Sequence, residues 1–308
     1  MITQNFAYHA PTDLEGVVAA LAGHDAVIVG GGTMVIPDLT HGRTSADVVV
    51  DLSRAGLSGI TRAGDTVVVG ATTTYTRLLR GGGEQVPPLR RIAGGITGGP
   101  QIRNRGTVGG SACYANPSSE VPAMLVALGA ELRLVSAAGV REVAAADFFT
   151  GAFTTARRPD EVLAALVLPD PAGPFGYHKL KLAESSWPIA TAACVRLPGG
   201  GLRLALGGVA ATPLPVHLES DDPGHVRAEV GRVLTEPWSD VLADGDYRRR
   251  VAPVAALRAV RELRAVEEVR ATEESRAVEE VRATEESRAV EESRGIREPR
   301  SAQEGEPR

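Results

Sequence analysis

Apolar and polar positions along this chain alternate between helical and strand periods, divided by glycine runs. Leu14 to Leu21 reads as a short helix with Pro11-Thr12-Asp13 as its start signal. Ala26 to Val29 reads as a buried strand that runs straight into Gly30-Gly31-Gly32. Val48-Val49-Val50, ending at Asp51, and Thr66 to Val69 read as further strands. A helix is expected around Thr76 to Leu79, stopped by Gly81-Gly82-Gly83, and another short one from Pro88 to Ile92. Gly94 to Gly110 is a glycine-rich passage. Pro122 to Leu128 reads as a helix with proline in its first turn, and Glu131 to Val135 as a strand.

The pattern changes near Phe175. Strands at Tyr177–Leu182, Ala190–Leu197 and Leu202–Val209 fit an antiparallel meander, the last two joined by Pro198-Gly199-Gly200-Gly201. Helices are expected at Val226–Leu234 and Tyr247–Leu263. From Arg264 the dodecamer RAVEEVRATEES repeats, and each copy is two related hexads. Six residues do not match the helical period, so the few valines drift around a helix instead of forming a stripe. Glu and Arg three and four apart could still support a solvated helix. The segment 264–308 is therefore expected as a solvated helix or disordered, and Ile296 to Arg308, with Pro299 and Pro307, as disordered.

Composition narrows the function classes. The chain has 308 residues and 43% hydrophobic content, enough for real cores. Its formal net charge is −5, and the segment from Glu262 to the end holds fourteen glutamates against nine arginines. The rest is near neutral, which gives no general reason to expect nucleic acid as a partner. Cys113 and Cys194 cannot by themselves hold an iron–sulfur cluster or a structural zinc ion, and a disulfide framework is not expected. A reducing, cytoplasmic compartment is the default. The N-terminus lacks a signal-peptide pattern, and no apolar run reaches membrane-spanning length.

Two glycine-rich loops carry the candidate chemistry. The first, from Val29 through Gly30, Gly31, Gly32, Thr33 and Met34, directly follows a strand. Three glycines let successive N–H groups form a concave nest for phosphate oxygens, and Thr33 adds a hydroxyl donor. A tight structural turn explains the same residues, and adjacent glycines are not the spaced dinucleotide fingerprint. The second, Pro100 to Ser111, sets Arg103 and Arg105 beside Thr107, Gly109, Gly110 and Ser111. Two such loops favour a diphosphate ligand; a core-packed loop with solvated arginines is the plain alternative.

The order of these loops resembles a family. Gly30-Gly31-Gly32-Thr33, then Val69-Gly70-Ala71-Thr72-Thr73, then Pro100 to Ser111 are followed by Ala112-Cys113-Tyr114-Ala115-Asn116-Pro117-Ser118-Ser119-Glu120. Over residues 3 to 262 this is similar to the FAD-binding medium subunit of molybdenum hydroxylases of the xanthine dehydrogenase and carbon monoxide dehydrogenase type. The resemblance implies an α+β fold. An FAD-binding domain at 1–174 would have two α/β lobes, about 1–60 and 61–174. A smaller α+β domain with an antiparallel sheet and helices would follow at 175–263, and the charged repeat tail at 264–308 lies outside the resemblance. It also implies FAD with its diphosphate on the two glycine loops. Glu120 matches an acidic position facing the cofactor, with a helix N-terminal carboxylate as its plain alternative. Lys179 and Trp187 match positions near the isoalloxazine ring; a solvated lysine and a core tryptophan are theirs.

The resemblance further implies a molybdenum-cofactor large subunit and a [2Fe-2S] small subunit as partners, with NAD+, oxygen or a quinone as acceptor. The chain departs from the family pattern at Ser111, where asparagine is common, and at Leu182 and Ala183, where basic residues are common. No histidine adjoins the first loop, so FAD is expected to be non-covalent. His24 and His41 read as surface residues. Two other readings stay open: a free-standing FAD oxidoreductase acting on a small molecule, and an assembly module that has lost flavin.

Overall fold

The computed structural model describes residue 2 and residues 4–169 and 173–295, with side chains 278, 281–284 and 286–295 also outside the description. The expectation of disorder over 296–308 lies outside the described residues. The chain divides into two compact units, Met1–Leu263 and Arg264–Arg308.

The first unit opens with strand β1 (Ala7–His9), helix α1 (Leu14–Leu21), strand β2 (Ala26–Val29), helix α2 (Val35–Thr40) and strand β3 (Val48–Asp51). The three strands form a parallel sheet with β3 in the middle. Asp13 caps α1 by accepting from the Gly16 N–H at 2.8 Å. Val17 and Leu21 pack from α1 onto Val48 and Val50.

A second sheet follows. Strands β4 (Ile60–Ala63) and β5 (Thr66–Gly70) form a hairpin. Helices α3 (Tyr75–Arg80), α4 (Pro87–Gly95), α5 (Gly99–Arg105), α6 (Val108–Tyr114) and α7 (Glu120–Leu128) come next. Strands β6 (Glu131–Ser136) and β7 (Gly139–Ala144), helix α8 (Ala145–Phe148) and the short pair β8 (Phe149–Gly151) and β9 (Thr154–Thr155) lead to β10 (Val162–Pro169). The near-continuous apolar run of β10 sits between β5 and β6, giving an antiparallel order β4-β5-β10-β6-β7.

The glycine-rich passage from Gly94 to Gly110 is mostly helical, and Pro100 to Ser111, read as a loop, lies largely within α5 and α6. Gly98 and Gly106 stand at the two ends of α5 as its N-cap and C-cap, whereas Gly109 is a close-packing point within a helix. Gly109 lies inside α6, and a Cβ there would stand 2.6 Å from the Ala71 carbonyl oxygen. The strands β4, β7 and β10 and the helices α2, α5 and α6 were not foreseen in the apolar pattern.

The antiparallel sheet is a meander of β11 (Phe175–Lys181), β12 (Pro188–Arg196), β13 (Leu202–Gly207) and β14 (Leu214–Leu218). Helix α7 packs against β12 and β13 and also on β10. Every residue of α7 is therefore buried, the charged Glu120 included. Helices α9 (Pro223–Val233) and α10 (Gly245–Gly295) are the last elements among the described residues, with Val226, Val230, Ala252, Ala256 and Leu263 packed against the sheet. Gly176 on β11 permits that approach, since a Cβ there would overlap the Ala259 carbonyl oxygen. The helix read over Tyr247–Leu263, with a solvated helix or disorder beyond it, spans Gly245–Gly295. Of the second unit, residues 267–268 and 270–277 carry the glutamate–arginine spacing that helps an exposed helix, and Val269 is 57% exposed. No helix among the described residues is long and apolar enough to cross a membrane.

Arg248, at the start of α10, is fully buried. Its guanidinium donates to the carbonyls of Ile189, Gly208 and Ala243 and to Asp240 Oδ1 at 2.5 Å. It thus ties the ends of β12 and β13 to the last helix. Arg248→Leu would leave three carbonyls and a carboxylate without their donor. It should lower unfolding free energy by roughly 3 to 5 kcal/mol in urea titration, whereas Arg249→Leu, on an exposed position, should cost under about 1 kcal/mol.

Candidate functional site

The first glycine loop leaves β2 at Gly30 and enters α2. Gly32 holds φ +73°, a left-handed conformation that favours glycine. Among the described residues, the N–H groups of Gly31, Gly32, Thr33 and Met34 donate to no backbone oxygen. Four successive free donors make the nest that an anion fits.

The second segment is a capped helix start. Thr107 is the N-cap of α6, and its Oγ1 accepts from the Gly110 N–H at 3.0 Å. The Gly109 N–H donates to the Ala71 carbonyl at 2.9 Å, and the Val108 N–H to the Thr73 carbonyl at 3.1 Å. The stretch Ala71 to Tyr75 is thus the platform for this segment. Because the amides of Gly109 and Gly110 are already used, what faces outward here is hydroxyl and carbon surface, not a second nest.

The two segments touch. A Cβ on Gly30 would stand 3.1 Å from Thr107 Oγ1, and one on Gly31 would overlap the Arg105 carbonyl oxygen. Their shared surface walls a cavity of about 540 Å³, within the ~300–1,000 Å³ range of small-molecule sites. Of the residues singled out in the sequence, Gly30, Gly31, Gly32, Thr33, Met34, Thr107, Gly109, Gly110, Ser111, Glu120 and Trp187 line it. Val29 does not; it is buried with Leu39 and Val49 on the far side of β2. Lys179 does not line it either.

Glu120 enters the cavity from the first turn of α7 with only 4% exposure. Its Oε1 accepts from the Tyr177 hydroxyl at 2.6 Å and from Lys179 Nζ at 2.7 Å. Lys179 Nζ also donates to the Gly95 carbonyl at 2.7 Å. Its ammonium is therefore engaged by a carboxylate and a carbonyl. Burial pushes the Glu120 carboxyl above its ordinary range, and the Lys179 charge offsets only part of that. Burial and the Glu120 charge together push the Tyr177 hydroxyl well up.

Ser111 Oγ lies 2.5 Å from the Tyr75 hydroxyl. The shortened side chain at this position is thus paired within the wall. Burial raises the Tyr75 hydroxyl above its ordinary value. The exposed Trp187 and the buried Pro188 border the cavity with Ile96 and Thr97, and the Thr97 hydroxyl donates to the Ser186 carbonyl at 3.1 Å. Arg157 also lines the cavity, its guanidinium donating to the carbonyls of Arg158, Pro159 and Glu161. Sequence reasoning did not reach Tyr75, Ile96, Arg157 or Leu163. Tyr75 lies two positions beyond the Ala71-Thr72-Thr73 stretch that the sequence did flag; Arg157 carries no local signal.

No histidine lines the cavity among the described residues. Its cysteine, Cys113, has its thiol pushed up to about 11 by burial, which holds it protonated. A long nest-bearing cavity with paired polar walls fits a non-covalent dinucleotide. Free amides would face its diphosphate, and apolar rim residues would face its ring.

Comparison with known proteins agrees with that geometry. Residues 4–171 match the model of the FAD binding domain in molybdopterin dehydrogenase. The chain is 35% identical to the carbon monoxide dehydrogenase medium chain of Afipia carboxidovorans over 281 residues, covering 84% of this chain and 97% of that one. It is 32% identical to the xanthine dehydrogenase FAD-binding subunit of Escherichia coli O157:H7, covering 83% and 89%. The solved reconstituted CO dehydrogenase from Oligotropha carboxidovorans superposes with a TM-score of 0.79 at 33% identity, covering 86% of this chain and 99% of that one. The cavity and the match over 4–171 together place this chain in the family of FAD-binding subunits of molybdopterin dehydrogenases.

Proposed function

We propose that this chain is the electron-transfer subunit of a molybdenum hydroxylase, standing between [2Fe-2S] clusters on a small partner subunit and an external acceptor such as NAD+, oxygen or a quinone. Hydroxylation of substrate would take place at the molybdenum cofactor of a large partner subunit. The observation that carries the reading is the meeting of two glycine segments, distant in the chain, on one cavity. With Cys113 and Cys194 as its cysteines the chain cannot by itself hold such clusters, so in this reading they belong to the partner subunit. In the same reading the chain divides at about residues 60, 174 and 263.

FAD, when bound, supplies the redox chemistry. The protein's own residues bind, orient and insulate. The free amides of Gly31 to Met34 would hold the diphosphate, with Thr33 and Thr107 offering hydroxyls. Glu120 would present its Oε2, which has no protein partner among the described residues, to the cavity while Lys179 and Tyr177 fix Oε1. Lys179 acts through Glu120 and the Gly95 carbonyl, and is a positioning residue.

Purification from the native cell tests the reading. Iron, molybdenum and flavin should co-purify with this chain, and substrate of the complex should bleach the flavin. Turnover of a small molecule by the isolated chain, without metal-bearing partners, would overturn it. Gly31→Ala drives a methyl into the Arg105 carbonyl and separates the two segments. The apparent Kd for FAD should rise more than about tenfold by fluorescence titration, while Gly81→Ala, which meets open space, should leave it unchanged. Acid precipitation should leave the flavin in the supernatant, as no histidine lines the cavity among the described residues and burial holds the Cys113 thiol protonated.

Lys179→Met has a pH signature. Without its cation the buried Glu120 carboxyl rises further above its ordinary range. Between its unfolded-state and raised folded-state values the folded protein binds the proton more tightly, so stability falls as pH rises through that window and levels off above it. The cost should be on the order of 2 to 3 kcal/mol near pH 8 and smaller near pH 5 in urea titrations. Lys179→Met/Glu120→Gln should remove the pH dependence.

A further inference from the structure

Glu120 and Lys179 form an ion pair with one open position. Glu120 Oε1 accepts two hydrogen bonds, from the Tyr177 hydroxyl at 2.6 Å and from Lys179 Nζ at 2.7 Å. Oε2 accepts from no protein group among the described residues, and the side chain lines the cavity. A gap in α4 brings the lysine there. A Cβ on Gly95 would overlap Lys179 Nζ, so glycine at this position lets the ammonium reach both the Gly95 carbonyl and the carboxylate. Ile96 and Thr97, which follow Gly95, stand in the cavity wall with Trp187. The pair therefore lies beside the apolar rim, where the ring of a bound flavin would stand.

The neighbouring ionisable groups leave the charge balance of this end to the pair. On β11, Tyr177 is held protonated by burial and by the Glu120 charge, and Lys181 donates to the Glu184 carbonyl at 2.6 Å. Burial likewise holds Tyr75 of α3 and Cys113 of α6 protonated. Arg91 of α4 lies over the Tyr177 ring and approaches Glu262. Arg203 of β13 donates to the carbonyls of Ala127 and Leu128, at the opposite end of α7. Strand β10 carries no ionisable side chain. Arg157, which also lines the cavity, donates to backbone carbonyls.

Two electrons and one proton entering an isoalloxazine leave it with a negative charge. A charge away from water is costly unless an opposite one stands near it. While Glu120 is ionised, it neutralises the Lys179 charge. We propose that Glu120 takes up one proton from solvent at Oε2 when bound FAD is reduced, which releases the Lys179 charge to offset that of the ring. The proposal rests on the electron-transfer reading. The step balances: two electrons arrive from the partner's clusters and two protons from water, one for the ring and one for Glu120, so the net charge of the site is unchanged. Reoxidation by the acceptor returns both protons to water. Burial already holds the Glu120 carboxyl above its ordinary range, so added negative charge nearby raises it further in the direction the step needs. In this arrangement Lys179 is a positioning residue that keeps Glu120 ionised until the electrons arrive.

The test uses the full-length chain loaded with FAD. The flavin midpoint potential is followed against pH by spectroelectrochemical titration, and its slope gives the protons bound per electron pair. Wild type should bind about two between about pH 7 and 8.5, and Glu120→Gln about one. The reduced-minus-oxidised infrared spectrum of wild type should gain a protonated-carboxyl band that shifts in heavy water and is absent from Glu120→Gln. Lys179→Met, in which Glu120 is protonated before reduction, should also bind about one proton and gain no band. FAD content and melting temperature are measured for each variant. Equal proton counts in wild type and Glu120→Gln, or no carboxyl band in wild type, overturn the proton uptake and leave the electron-transfer reading intact. If Glu120→Gln fails to hold flavin, the wild-type band alone decides. A full-length chain that binds no FAD sinks both.

Discussion

The site depends on a backbone approach that only glycine allows. Gly31 lies so close to the Arg105 carbonyl that any side chain would overlap it, and Gly30 leaves just enough room for the Thr107 hydroxyl. The parallel sheet thereby meets the start of α6 through main chain, not through interlocking side chains. The two segments also divide their hydrogen bonding. The first keeps its amides free. The second uses its own to hold its shape on Ala71 and Thr73. A cradle of free donors thus rests on a rigid, fully bonded support, which is how preorganised binding avoids an ordering cost.

The far end of the cavity is set by elements from the second half of the chain. Helix α7 is buried on every side because β10 covers one face and β12 and β13 another. Its first residue, Glu120, therefore has no route to water except through the cavity. A lone carboxylate in that position would be costly, and β11 supplies the remedy in Tyr177 and Lys179. The Lys179 bond to the Gly95 carbonyl and the Thr97 bond to Ser186 tie the same wall to the meander. Cofactor geometry and the packing of the C-terminal sheet are one problem, with Arg248 anchoring that sheet from beneath.

Charge is distributed unevenly along the chain. The acidic repeats beyond Arg264 outweigh their arginines, whereas the stretch Tyr75 to Arg105 holds six arginines against one glutamate, with Arg77, Arg80, Arg90 and Arg105 exposed. Composition averages these to a mildly acidic chain, which hides the contrast.

The sequence by itself determined the family, both glycine segments, the helix that delivers Glu120 and the meander after Phe175. These are local signals: glycine runs after strands, alternating apolar positions and turn residues. It did not show that Gly94 to Gly110 is mostly helical, because glycine lowers helix propensity and only packing against Ala71 and Tyr75 outweighs that. The resemblance matched Lys179 to a position near the ring; the fold sets its ammonium against Glu120 and the Gly95 carbonyl, a contact that no local pattern announces. It gave no sign of Arg157 or Leu163 in the wall, nor of β10 in the centre of its sheet. Those depend on contacts between residues far apart in the chain, and long-range register is settled by burial of whole faces, not by any local pattern.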